Sequence, residues 1–228
     1  MNNEIKDEDL TVSPTCGKPL VMGSTVFNED CMSVMARYPD KFFDLAIVDP
    51  PYGIGYAKRK EKNKSSSIKY TPKDWDNFRP SKEYFDELKR VSKNQIIWGG
   101  NYFLDILGNS KGMICWDKCQ PEGLDQAMCE FAWVSIDKTA KIFKTSIQQI
   151  QFTRIHPTEK PIKLYDWLYK LYSEKGMKVI DTHLGSGSNR IAAHKNRIEF
   201  VGAEIDKEYF EAQEARFKDF TSQLRLFG

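Results

Sequence analysis

The amino-acid sequence predicts an α/β fold built on a mostly parallel sheet with helices on both faces. An apolar run from Phe42 to Val48 is typical of a buried parallel strand, and it ends at Asp49. A short strand at residues 179–181 leads into a glycine-containing loop and then a helical segment. A further strand at residues 200–203 ends in Glu204. Because parallel strands need crossover connections, this alternation of strands and helices favours the α/β class.

The turn after the first of these strands carries the clearest chemical signal. Residues 49–52 read Asp-Pro-Pro-Tyr. The two prolines hold φ at about −65° and remove two backbone donors. The Asp49 carboxylate and the Pro50 carbonyl are then expected to face one point as acceptors, with the Tyr52 ring beside them. Two acceptors and a flat ring suit a planar base that carries an amino group.

Asp49-Pro50-Pro51-Tyr52 resembles the catalytic motif of the amino-group DNA methyltransferases, which methylate adenine or cytosine from S-adenosylmethionine. The resemblance implies a Rossmann-like methyltransferase fold, catalytic roles for these four residues, and methylation of the exocyclic amino group of adenine after base flipping. It implies neither a covalent enzyme intermediate nor a metal. An isolated motif of this length also occurs as a plain proline turn at the end of a strand.

The loop after residue 180 and the strand end at Glu204 resemble the cofactor site of the same family. Rossmann-like folds place an acid that takes ribose hydroxyls about twenty residues after the glycine loop. The expected cofactor contacts here are Asp181, His183, Gly185, Ser186, Gly187, Ser188, Glu204 and Ile205. The family usually has Pro-Phe where this chain has Thr182-His183, so His183 is expected to replace an aromatic side chain near the cofactor.

Two further segments resemble the remaining parts of that site. Asp30, Cys31 and Met32 match the strand end that lies near the cofactor adenine, although Asp30 before an apolar segment is also typical of a helix N-cap. Residues 156–161 read His-Pro-Thr-Glu-Lys-Pro and are similar to the element that packs against the methionine half of the cofactor. The expected contacts are His156, Thr158 and Lys160. His156 could equally structure its proline-rich turn.

The order of these segments is itself informative, because the catalytic strand precedes the glycine loop. That order resembles the β-class of amino-methyltransferases, in which the sheet is circularly permuted. The resemblance extends from about residue 25 to about residue 217. We therefore expect a single domain over residues 1–228, with small target-recognition insertions at about 57–92 and 117–130.

Composition narrows the cellular setting and the partners. The 228 residues carry a net charge of only +2, so affinity for double-stranded DNA must come from a local patch. The expected phosphate contacts are Lys58, Arg59, Lys60, Lys62, Lys64 and Lys69, with a solvated charge run as the alternative. The polar start and the lack of a long apolar stretch predict a cytoplasmic protein without membrane contact. Five cysteines without a regular framework favour reduced thiols over a zinc site.

Two interactions with other proteins also follow from resemblance. Dimers are common in the resembled class, so a homodimer is one expected partner. Residues 223–227 read Gln-Leu-Arg-Leu-Phe and resemble the peptide that docks on bacterial sliding clamps. The alternative is a terminal segment that packs its leucines on the core, and for so short a motif it is the stronger interpretation.

Two other functions remain open at this level. Methylation of the amino group of cytosine uses the same scaffold and the same chemistry, and aspartate at the first position of the motif favours adenine. A DNA-binding protein with a decayed methyltransferase fold is the alternative from a different class. The intact set of catalytic and glycine-loop residues argues against it.

Overall fold

A computed structural model describes residues 23–55, 76–123, 127–146 and 154–226 of the chain. These residues contain an eight-stranded sheet in the order β1-β8-β7-β2-β3-β5-β4-β6. The strands are β1 (Ser24–Phe27), β2 (Phe43–Val48), β3 (Ser92–Trp98), β4 (Gly112–Asp117), β5 (Cys129–Val134), β6 (Lys141–Lys144), β7 (Lys178–Asp181) and β8 (Glu199–Ala203).

Most neighbouring strands of the sheet run parallel. Parallel pairings join the adjacent strands β1, β8, β7, β2 and β3, and β6 also pairs in parallel with β4. Only β5 runs against both of its neighbours, β3 and β4. The prediction of a mostly parallel α/β sheet is therefore confirmed, and β2, which precedes Asp49, lies at its centre.

Helices cover both faces of the sheet, as predicted. They are α1 (Cys31–Met35), α2 (Lys82–Val91), α3 (Leu104–Leu107), α4 (Ile162–Tyr172), α5 (Ser188–Lys195) and α6 (Lys207–Leu226). Side chains alternate along β2, so that Leu45 and Ile47 join the core formed with α4 and α5. Ala46 and Val48 join the opposite core, formed with α1 and α2. A strand buried on both faces explains why this segment reads as a continuous apolar run.

Helix α2 connects β2 to β3 and belongs to the core. Its residues Tyr84, Phe85, Leu88 and Val91 are at most 4% exposed, and their spacing gives one apolar helix face. The predicted insertion at about 57–92 thus contains this core helix, whereas residues 56–75 lie outside the described ranges. Tyr84, which falls within this predicted target-recognition insertion, is buried inside the fold.

The second predicted insertion, at about 117–130, begins and ends in strands. Asp117 is the last residue of β4 and pairs with Cys129, the first residue of β5. The segment is therefore the connection of an antiparallel strand pair, of which residues 124–126 lie outside the described ranges. Across the helices that the structure describes, none combines the length and the apolar character needed to cross a bilayer.

Candidate active site

The site lies where the carboxyl ends of β2 and β7 meet. These strands pair in parallel, with Ala46 opposite Ile180, so Asp49 and Asp181 emerge at the same edge of the sheet. Asn189 of α5 ties the two strands together, because its amide donates to the Ile47 carbonyl at 3.1 Å and to Asp181 Oδ2 at 2.9 Å. The turn after Val48 and the loop that follows β7 are therefore neighbours in the fold.

Both oxygens of the Asp49 carboxylate are engaged. The Tyr52 hydroxyl donates to Oδ1 at 2.6 Å, and the Lys160 ammonium donates to Oδ2. Lys160 Nζ also lies 3.4 Å from the Tyr52 hydroxyl oxygen. The Asp49 side chain is 17% exposed and that of Lys160 only 2%, so the carboxylate reaches the surface while its counter-ion does not. A carboxylate oxygen can accept more than one hydrogen bond, which leaves room for a further donor.

A second carboxylate, Glu130 on β5, completes this network. Glu130 lies 3.1 Å from Lys160 and 2.6 Å from Lys118, which follows β4. Burial raises its pKa, but the two ammonium groups outweigh burial and lower the pKa of Glu130 to about 2. Sequence reasoning missed Glu130, whose only local signal is a charged residue inside an otherwise apolar strand.

The ring of Tyr52 is held in a defined orientation. Tyr102 stacks on it with centroids 5.0 Å apart and an interplanar angle of 17°. Gly99 has φ of +68°, and a Cβ there would lie 2.1 Å from the Tyr52 ring, so only glycine lets the ring come this close. Asp76 fixes the backbone of the turn by accepting from the amides of Tyr52 and Gly53 at 2.8 and 2.9 Å.

Asp181, at the end of β7, carries a carboxyl with a strongly shifted pKa. Burial, with smaller contributions from the charges of Asp49 and Glu204, raises this pKa to about 7. The Asn189 amide and the His183 N–H, which donates to Oδ1 at 3.1 Å, oppose the shift. The charges of Asp49 and Glu204 near Asp181 favour binding of a cationic group at this end of β7.

The loop after Asp181 has the positive φ angles that its glycines permit. Gly185 and Gly187 have φ of +51° and +70°, and α5 begins directly after them at Ser188. Glu204 accepts from the Gly185 amide at 2.8 Å, so the acid at the end of β8 lies against the loop as expected. Ile205 follows with 68% of its surface exposed.

The segment at residues 30–32 lies at the neighbouring strand end, after β1. Asp30 is the N-cap of α1 and accepts from the amides of Met32 and Ser33 at 2.9 and 3.2 Å, so the capping role is present in the structure. Burial, and then the charges of Asp30 and Glu204, raise the pKa of the Cys31 thiol to about 12. This thiol is therefore protonated at neutral pH.

His183 lies in an aromatic setting. Its ring packs edge-on against Tyr84 at 5.4 Å, and its Nδ1 shares a hydrogen bond of 2.9 Å with Thr182 Oγ1. The Thr182 hydroxyl in turn shares a 2.6 Å hydrogen bond with the Tyr84 hydroxyl. Burial lowers the pKa of His183 to about 4, so the ring is neutral at pH 7. A neutral ring here is compatible with the replacement of an aromatic residue.

The segment at residues 156–161 packs on the glycine loop. The His156 ring lies within 3.8 Å of the Cβ position of Gly185, and its Nδ1 accepts from the Thr158 amide at 3.3 Å. His156 therefore structures its own turn while facing the loop. Lys160, from the same segment, extends to Asp49 rather than staying at the loop.

Arg216 of α6 connects the two segments that line this side of the site. Its guanidinium donates to the Ser186 carbonyl at 2.9 Å and lies 3.1 Å from Ser188 Oγ. It also pairs with Glu159 at 2.8 Å. Sequence reasoning missed Arg216, because nothing in a helix pattern shows that one of its cations binds loops elsewhere.

Some predicted residues lie outside the described ranges or at their edge. The candidate phosphate contacts Lys58, Arg59, Lys60, Lys62, Lys64 and Lys69 lie outside the described residues. Of the clamp-like peptide, residues 223–226 form the end of α6, and Phe227 lies outside the described ranges. Within the described part of the chain, no three histidine, cysteine or acidic residues are grouped as metal ligands.

Comparisons with known proteins identify relatives of this chain. YubD of Escherichia coli (strain K12) is 23% identical over 202 residues, which cover 82% of this chain and 87% of YubD. The crystal structure of M1.HpyAVI with S-adenosylmethionine superimposes with a TM-score of 0.58 at 20% identity, over 85% of this chain and 99% of that one. The cytosine-N4-specific PvuII DNA methyltransferase gives 0.57 at 12% identity, over 88% and 92%.

At these identities, the similarity to the two crystal structures demonstrates the fold. The family is shown by a sequence profile, N6_N4_Mtase, which is described as DNA methylase and matches residues 97–215. That match spans more than half of the chain and includes β4 to β8 with the glycine loop. The chain therefore belongs to the N6_N4_Mtase family of DNA methylases.

Proposed function

We propose that this DNA methylase transfers a methyl group from S-adenosylmethionine to the exocyclic amino group of adenine in double-stranded DNA. One observation carries the proposal: Asp49 and Asp181 lie at the ends of directly paired strands, and Tyr52 fixes the orientation of the Asp49 carboxylate. The acceptor for an amino group and the glycine-loop side of the site thus share one edge of the sheet.

The residues of that edge fit S-adenosylmethionine, which is a cation at sulfur and carries ribose hydroxyls. Asp181 offers a buried carboxyl with a raised pKa, and Glu204 offers a carboxylate beside the Gly185 amide. Both Glu204 oxygens accept backbone amides, from Gly185 and Asp206, and each retains capacity for a hydroxyl donor. We assign cofactor contacts to the predicted set, which is Asp30, Cys31, Met32, His156, Thr158, Lys160, Asp181, His183, Gly185, Ser186, Gly187, Ser188, Glu204 and Ile205.

When bound, S-adenosylmethionine supplies a methyl group that is activated by the positive sulfur. The remaining work falls to the residues of the catalytic turn. An amino nitrogen is a weak nucleophile while its lone pair is delocalised into the base. Acceptance of its hydrogens by Asp49 and the Pro50 carbonyl favours a pyramidal nitrogen with a directed lone pair, and Asp49 holds the proton that methylation releases.

The target base has to leave the stack to reach Asp49. Flipping costs a few kcal/mol, and stacking on an aromatic such as Tyr52 returns about 1 to 3 kcal/mol. We propose that phosphate contacts from Lys58, Arg59, Lys60, Lys62, Lys64 and Lys69 supply the remaining affinity. Binding should then weaken with salt, with a log-log slope of about 0.9 for each phosphate contacted.

The finer classification is also proposed. In chain order the catalytic strand β2 comes before β7 and its glycine loop, which supports a circularly permuted enzyme of the β-class. A cytoplasmic location, target recognition by residues near 57–92 and 117–130, and a homodimer complete the proposal. Docking of residues 223–227 on a sliding clamp is tested by a pull-down with and without this peptide.

The deciding experiment uses purified protein, DNA of mixed sequence and S-adenosylmethionine with an isotope-labelled methyl group. Digestion to nucleosides and mass spectrometry then identify the methylated base. The expected product is N6-methyladenine. Formation of N4-methylcytosine would instead identify cytosine as the target base, since its exocyclic amino group offers the same two donors. Asp49→Asn is the matched control, and transfer by that variant would refute the role of the carboxylate.

A further inference from the structure

The Lys160 ammonium lies between two carboxylates that come from distant parts of the chain. It contacts Asp49, at the end of β2, and Glu130, on β5, at 3.1 Å from the latter. The rings of Trp98 and Tyr52 face the same ammonium, with centroids at 5.3 and 5.9 Å. Lys160 is only 3% exposed, so its charge acts on these neighbours with little screening by water.

Glu130 has a second cation, because Lys118 lies 2.6 Å from its other oxygen. The cluster therefore contains two carboxylates and two ammonium groups. Glu130 and Asp49 both pair with Lys160. Because Glu130 also pairs with Lys118, its attraction for Lys160 is weaker. Such a chain of shared ion pairs couples the charge state of Asp49 to residues that do not touch the Tyr52 turn.

We propose that Lys160 and Glu130 are positioning residues for methyl transfer, in which Lys160 keeps the Asp49 carboxylate ionised and oriented while Glu130 limits the hold of Lys160 on it. The inference rests on the proposed function, since an ionised Asp49 is what an amino group needs as an acceptor. It also explains why a lysine from the 156–161 segment extends across the site to the catalytic turn.

The charges around Asp49 support this division of labour. Burial holds the pKa of Asp49 above its usual value, the Lys160 ammonium opposes this rise, and the Glu130 carboxylate adds to it. Burial lowers the pKa of Lys160, but the two carboxylates outweigh burial, so the group stays protonated. The other titratable groups that face Asp49 are Tyr52 on its own turn, Asp181 after β7, Tyr84 on α2 and Tyr165 on α4.

Two neutral substitutions should shift the titration of Asp49 in opposite directions. In Lys160→Met the counter-ion is gone, so the acidic limb of the kcat profile moves to higher pH by at least about one unit. In Glu130→Gln the amide no longer competes for Lys160, so the limb moves to lower pH. If the two residues had a merely structural role, both variants would lose activity at all pH values, and the acidic limbs of their kcat profiles would not separate.

The experiment measures kcat against pH together with the titration of Asp49 itself. Carbon-13 NMR of protein labelled at aspartate carboxyls reports the midpoint of Asp49 without any need for activity, and Asp49→Asn assigns the signal. Lys160→Arg should retain the wild-type midpoint. Lys170→Met, which removes an exposed cation paired with Asp166 on α4, is the matched control. It should change neither the Asp49 midpoint nor the kcat profile.

The outcomes separate this inference from the proposed function. Opposite shifts of the Asp49 midpoint without methyl transfer in the wild type would support the inference about charge and refute the proposed function. Methyl transfer with an Asp49 midpoint that stays fixed in both variants, or moves the same way in both, would overturn the inference alone. If Lys160→Met does not fold, as judged by circular dichroism, Glu130→Gln and Lys160→Gln provide the same test.

Discussion

Replacement of Asp181 by asparagine should remove a pH dependence from the stability of this protein. The carboxyl is 3% exposed, and its pKa rises from 3.8 to about 7 on folding. The folded state therefore holds a proton between pH 4 and 7 that the unfolded state has released, so the wild type loses stability as pH rises through this window. The shift is worth about 4 kcal/mol in total at 1.36 kcal/mol per unit.

The assay is urea denaturation of both proteins at several pH values between 5 and 8. Over this range the free energy of unfolding of Asp181→Asn should rise relative to that of the wild type by about 3 kcal/mol, which is the part of the shift that lies above pH 5. At any one pH, the variant also loses one of the two hydrogen bonds to Asn189 and His183, at a constant cost of about 1 kcal/mol.

Asp44→Asn is the matched control, because Asp44 lies on β2 with a lowered pKa. Burial there is outweighed by the Lys93 ammonium and the Lys178 amide. Such a group has already ionised in both states at pH 5, so its variant should differ from the wild type by a constant amount up to pH 8. If Asp181→Asn also ran parallel to the wild type, the argument that burial keeps Asp181 protonated would be refuted.

Three more substitutions test the geometry of the site. Gly99→Ala should abolish methyl transfer but keep cofactor binding in calorimetry, because its Cβ would overlap the Tyr52 ring; retained transfer would contradict the close contact. Arg216→Ala should raise the KM for the cofactor and cost about 3 kcal/mol in urea denaturation, since Glu159 loses its ion pair; unchanged KM would exclude a role in loop placement. Phe78→Ala should leave stability within about 0.5 kcal/mol, because this ring is 82% exposed. It should weaken DNA binding in fluorescence anisotropy, since the backbone of Phe78 lies close to Gly53, beside the Tyr52 turn. Equal DNA affinity of the variant and the wild type would exclude Phe78 from the DNA-binding surface.

Local patterns in the sequence were enough to predict the strand ends that carry the site. The apolar run before Asp49 marked β2, and the loop with Gly185 and Gly187 marked the start of α5. The N-cap at Asp30 and the acid at the end of β8 were equally visible. These predictions depend on side-chain burial and turn chemistry within one element, which a short window of sequence records.

The contacts between distant elements were not predictable in this way. Lys160 was expected beside the cofactor, and that assignment remains a proposal, but the structure shows its ammonium on Asp49. Neither the pairing of Glu130 with Lys160 nor the stacking of Tyr102 on Tyr52 leaves a local pattern. Each joins side chains from different elements.

The sequence by itself determined the fold class, the family resemblance and the positions of Asp49, Asp181 and Glu204 at strand ends. Only the tertiary structure decided which charges meet at Asp49. The order of the strands places β5, with Glu130, between β3 and β4, and the packing of the 156–161 segment brings Lys160 to the end of β2. Electrostatic effects depend on distance and burial in space, and separation along the chain fixes neither of them.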